Sequence, residues 1–107
     1  MKVTTSSHIA GQNIVDTLGV VRGNTIRVRH LGRDILASLR MLIGGEIHDY
    51  TKIMGESREQ AIDRMREEAR SMGANAIVDV RFTTSYIMTG AAEILVYGTA
   101  VVTEEPE

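Results

Sequence analysis

The chain has 107 residues, 43% of them apolar, and no cysteine. That suffices for one core and one domain. It excludes disulfide scaffolds, thiolate metal sites and cysteine nucleophiles, and leaves histidine and carboxylate as the ligands for any soft metal. The net charge of −2 gives no general attraction to nucleic acid, and the opening residues MKVTTSSHIAGQ carry no apolar run of a signal peptide or membrane span. A soluble cytoplasmic protein without nucleic-acid or membrane partners is expected.

Lys2 to Thr5 and Ile14 to Val21 read as strands, and in Thr25 to Arg29 the alternation of Ile26 and Val28 with Arg27 and Arg29 predicts a half-buried strand with its arginines outward. Between the last two, Arg22-Gly23-Asn24 suits either a tight hairpin or a glycine bulge in one long strand. Residues 22–40 hold five arginines, Arg22, Arg27, Arg29, Arg33 and Arg40, against Asp34 alone, a charge of +4 that leaves −6 for the rest. Such asymmetry fits an anion patch, a surface for the acidic remainder of a neighbouring copy, or arginines that keep a strand edge soluble.

From Asp34 the period changes. Ile35, Leu36, Leu39, Leu42 and Ile43 recur at helical spacing until Gly44-Gly45, which predicts a short buried helix. Ile47, Tyr50, Met54, Ala61, Met65, Ala69 and Met72 then continue at three-and-four spacing across Gly55, which favours one long helix. The rival reading breaks at Gly55 and restarts at Ser57, with Ser57 and Gln60 as a capping box. Either version ends at Gly73 in the left-handed conformation.

Ala76 to Tyr86 and Glu93 to Thr103 follow as an antiparallel hairpin around Thr89-Gly90. In the first strand Val78, Val80 and Phe82 predict an inner face against Asp79, Arg81 and Thr83. The second is apolar at both parities, with Ile94, Val96, Ala100 and Val102 on one side and Leu95, Tyr97 and Val101 on the other, the pattern of a strand covered on both faces. The domain is read as residues 1–103, with residues 104–107 as an acidic disordered tail.

Two features point beyond a monomer. A helix over residues 46–72 would run about 40 Å, whereas a compact domain of this length measures about 34 Å across. A small α+β domain also has too little helix to cover both faces of its sheet, which asks for a second copy.

The blocks Leu18-Gly19-Val20-Val21-Arg22-Gly23, Arg33-Asp34-Ile35 with Gly44-Gly45, Gly73-Ala74-Asn75-Ala76-Ile77-Val78 and Tyr97-Gly98-Thr99-Ala100-Val101 resemble, in order and spacing, those of the YbjQ family of uncharacterised bacterial proteins. The resemblance spans nearly the whole chain. It implies an α+β fold of the dodecin-like kind with a small mixed or antiparallel sheet, a homopentameric ring, and a family label of heavy-metal binding without an established activity. The chain departs from the family pattern at Asp79, where a glycine is expected, and at Arg22, where an aromatic or apolar residue is more usual.

No strong chemical motif emerges. The weak metal candidates are His30 and His48, with His8, Asp34, Glu46 and Asp49 as further donors. Glu46 with His48 stand two apart and His48 with Asp49 are adjacent, neither of which shares a helix face, although a ring could gather one His30 or His48 from each copy. Glu59, Asp63 and Glu67 share a helix face, but Arg66 and Arg70 at three-residue spacing mark them as a solvated salt-bridged surface. The serines and threonines lack an adjacent histidine or glycine elbow. Gly44-Gly45 before an acidic helix start is a turn rather than a phosphate cradle. The sequence therefore points to a ring-forming binding or scaffold domain with a small ligand or metal between subunits. The alternative is an enzyme whose site is assembled between subunits. No catalytic residue or cofactor is indicated.

Overall fold

A computed structural model describes the backbone of residues 1–28, 47–88 and 91–107, and the side chains of these except Val28 and residues 47–53. The expected helix over Asp34 to Ile43, the Gly44-Gly45 turn and the Thr89-Gly90 loop lie outside the described residues.

Chain order is β1 (Lys2–Val3), β2 (Asn13–Val28), α1 (Ile47–Ser71), β3 (Ala76–Met88) and β4 (Ala91–Glu104). The strands form a mixed four-stranded sheet in the order β1-β3-β4-β2. β4 is antiparallel to both β2 and β3, and β1 runs parallel to β3. Of the two readings of residues 14–28, one long strand is therefore the one observed. Its ladder to β4 is unbroken from Val20 to Val28, and its irregularities fall earlier, at Ile14/Asp16 and Thr17/Gly19. Arg22-Gly23-Asn24 is neither hairpin nor bulge. β4 takes in Glu104, which pairs with Asn13.

Gly23 is needed for another reason. A Cβ there would collide with the backbone carbonyl oxygen of Ala61 and lie 2.6 Å from the Met65 backbone nitrogen. The residue lets α1 lie directly on β2. Beneath the helix sit Val21, Ile77, Val80, Ile94, Val96 and Ala100, packed against Ala61, Met65 and Ala69. These three helix residues keep the three-and-four spacing that predicted the buried stripe.

α1 is continuous through Gly55. It ends as expected: Gly73 has φ +87, with Gly73 N–H donating to the Arg70 carbonyl oxygen (3.0 Å) and Ala74 N–H to that of Ala69 (3.0 Å). These are the paired bonds of a Schellman ending. Ser57 and Gln60 form no capping box, because both point to β2. Arg27 Nε donates to Ser57 Oγ and Nη2 to Gln60 Oε1, each at 2.6 Å, while Thr25 Oγ1 donates to the Ser57 carbonyl oxygen at 3.2 Å.

That seam reverses an expected parity. Thr25 and Arg27 lie on the helix side of β2, and Ile26 is 55% exposed on the other. Arg27 can occupy the inner side because Ser57 and Gln60 accept from its guanidinium.

β3 also departs from a single inner face. Its ladder slips between Val78 and Arg81, and Asp79 there has φ 54, the left-handed region. The extra residue turns Val78 to the face away from the helix while Val80 stays beneath it, so Val78 and Val80 belong to separate clusters. Phe82 shares the helix side but stays 44% exposed, because α1 lies over β2 and β4. A position that requires left-handed backbone explains why glycine is expected at 79.

Candidate functional site

Strand register places Val20, Arg22, Asn24 and Ile26 of β2 beside Thr99, Tyr97, Leu95 and Glu93 of β4 on the face opposite α1. Its two ends differ. At one end Val101, Ala76 and Val78 are buried beneath Ile9 of the N-terminal segment. Val101 is 1% exposed within a single copy, so its burial needs no partner, contrary to the expected interface role of this position. At the other end Val20 (72% exposed), Ile26 and Tyr97 stand in solvent, with Leu95 half-buried among them.

The N-terminal segment is held in place at the β3 irregularity. Asp79 N–H donates to the Ser6 carbonyl oxygen (3.0 Å), Val80 N–H to that of Thr4 (3.1 Å), and Arg81 Nη1 to that of Thr5 (2.9 Å). Asn75 closes the same end of the sheet, its amide bridging the Thr103 backbone N–H (2.8 Å) and carbonyl (2.9 Å). Thr103 Oγ1 donates to Gln12 Oε1. Among the described residues, the end of the face distant from this lock is left open.

The titratable candidates do not converge. His8 is exposed; His30, Asp34 and Glu46 lie outside the described residues, as do the side chains of His48 and Asp49. Among the described residues no three His, Asp or Glu side chains come together as a metal site. With no cysteine in the chain, the described residues do not fit a soft heavy metal within one copy. Asp63 and Glu67 pair with Arg66 (3.5 Å) and Arg70 (2.9 Å) on the exposed side of α1, as expected of a solvated face. No described helix is long and apolar enough to cross a membrane.

The described residues thus form a small α+β module, one helix on a mixed sheet, with an open, partly apolar face on the side of the sheet opposite that helix. The chain belongs to the YbjQ family, whose description, "Putative heavy-metal-binding", matches residues 1–104. It is 55% identical over 101 residues to a UPF0145 protein of Methanosarcina acetivorans, covering 94% of this chain and 95% of that protein. It is 52% identical over 104 residues to one of Dehalococcoides mccartyi, covering 97% and 100%. These relatives span archaea and bacteria, which widens the bacterial distribution that the resemblance implied. A crystal structure from Pediococcus pentosaceus, titled as a protein of unknown function in the DUF74 family, shares the fold with a TM-score of 0.69 at 18% identity, over 97% of this chain and 98% of that one. The open end of the sheet face had a sequence signal, the two-sided apolar pattern of β4. Ile26 escapes the sequence reading because the alternation of Thr25 to Arg29 puts it on the inner face, and Val20 because the apolar run Ile14 to Val21 signals no facing.

Proposed function

We propose that the chain is a homo-oligomeric binding or scaffold subunit of the cytoplasm, which buries the open end of its sheet face on association and holds any small ligand between subunits. The observation that carries this is the exposure of Val20, Ile26 and Tyr97 around Leu95 on one face. Apolar side chains grouped on one side of a sheet mark an interaction surface. The shape agrees: the Cα radius of gyration is 17.7 Å with extents of 60 × 22 × 16 Å, against about 13 Å for a compact domain of this length. An elongated chain buries less of itself than a compact one and gains more by association. A closed ring of five copies is the arrangement that the family resemblance implies.

Native mass spectrometry of untagged protein tests it. An intact oligomer is expected, with a retained small molecule if the interfaces hold one, and Val20→Glu should release subunits that keep their secondary structure. A wild type seen only as single chains would refute the proposal.

A further inference from the structure

We infer that Arg22 and Arg81, set on either side of Tyr97 on the sheet face opposite α1, bind a small organic anion, a phosphate carried on an aromatic body. This rests on the reading of that face as the one closed over a ligand by association, and it names the ligand's chemistry. Register puts the three residues in one row across the sheet: Arg22 of β2 stands opposite Tyr97 of β4, and Tyr97 opposite Arg81 of β3. Neighbouring strands lie about 4.8 Å apart, so the two arginine backbones are about 10 Å apart with Tyr97 midway. Side chains as long as arginine reach one anion from that separation. All three residues are exposed.

The charge of this row is unanswered within the chain. Its flanking rows, Val20-Thr99-Val78 and Asn24-Leu95-Thr83, are uncharged. Glu93 shares the face, but it stands four residues along β4 from Tyr97, about 14 Å, and its Oε2 accepts from Asn24 Nδ2 (3.3 Å). Asp79 is two residues before Arg81 and makes no ion pair with it. Among the described residues, neither arginine has a carboxylate partner, and Arg22 makes no hydrogen bond. Arg81 is already oriented: its Nη1 donates to the carbonyl oxygens of Thr5 (2.9 Å) and Val80 (2.8 Å), and its Nε and Nη2 donate to no described residue. Closing a second surface over two unpaired guanidinia strips them of water, a cost that an anion between them offsets. The guanidinium fork matches phosphate oxygens, and a phosphomonoester near a charge of about −2 at neutral pH balances two arginines. The exposed Val20, the half-buried Leu95 and the Tyr97 ring supply apolar surface for the rest of the ligand.

The test is titration calorimetry of phenyl phosphate, phenol and sodium phosphate into the untagged protein, with light scattering on the same samples. Phenyl phosphate should bind at least about tenfold more tightly than phenol or inorganic phosphate, and Arg22→Gln and Arg81→Gln should each weaken it by about tenfold or more. Added salt should weaken it too, whereas Arg66→Gln, on the solvated side of α1, should leave it unchanged. Phenyl phosphate held no more tightly than inorganic phosphate, or equally well by Arg22→Gln, overturns the anion site; an associated wild type in that case keeps the oligomeric reading. Binding with the expected losses by a wild type of single chains upholds the site and refutes the assembly. An associated wild type that takes up no anion but dissociates as Arg22→Gln has its arginines paired to carboxylates of a second copy, which also overturns the site. Where Arg81→Gln does not fold, because the Thr5 carbonyl loses its donor, Arg22→Gln decides.

Discussion

Adding one methyl group at Gly23 should be far more damaging than its position in an edge strand suggests. A Cβ there meets the Ala61 carbonyl oxygen, the Met65 nitrogen at 2.6 Å and the Arg64 Cβ at 3.0 Å. Two of these are helix backbone and cannot rotate away, so Gly23→Ala must lift α1 from β2, loosening the Met65 and Ala61 packing and the Arg27 bonds to Ser57 and Gln60 together. Overpacking of this kind costs about 1–3 kcal/mol, which for a domain of this size lowers the melting temperature by roughly 4–15 °C. Gly55→Ala is the control. The nearest atom to its Cβ is Arg58 Nη2 at 3.9 Å, and alanine inside a helix should stabilise by about 0.5–1 kcal/mol. Both would be followed by circular dichroism melts at one fixed protein concentration, since association couples to stability. If Gly23→Ala melts with or above wild type, the close approach of helix and strand is wrong.

Further outcomes follow from single sites. Asp79→Gly should stabilise by about 1 kcal/mol, because φ 54 strains a residue with a Cβ, and Asp79→Val should destabilise; chemical denaturation reads both. Gly73→Val, at φ +87, should lower stability by about 1 kcal/mol or more; an unchanged melt would refute the assigned helix ending. Asn75→Ala removes the amide bridge to Thr103 and should cost about 1–3 kcal/mol, with faster exchange of the Thr103 amide as its local signature. Protein purified without tags and dialysed should hold no stoichiometric zinc or copper; retained metal that is lost in His30→Ala or His48→Ala would contradict this.

The legible parts of the fold were those where one residue type answers one local demand. Ala61, Met65 and Ala69 announced the helix stripe, and Gly73 its end. The misread parts depend on tertiary partners. Ile26 and Arg27 exchange roles because Ser57 and Gln60, thirty residues away, accept the guanidinium. Gly23 looks like a turn residue in sequence, and only the helix above it reveals the need for a missing side chain. Asp79 shifts β3 by one residue, which no period-two pattern shows. The two-sided pattern of β4 did announce a second surface. It could not show that Ile9 covers the Val101 end within the same chain, because that contact joins residues far apart in sequence.

The proposed assembly buries the open sheet face around Val20 and Leu95 against a second copy. Light scattering across a wide range of protein concentration distinguishes this assembly from a monomer. A wild-type particle that is a fixed multiple of 11.8 kDa is expected, five copies for the proposed ring, with a Val20→Glu protein of lower mass and unchanged circular dichroism. A wild type that remains at 11.8 kDa at high concentration, or a Val20→Glu protein of undiminished mass, would contradict it.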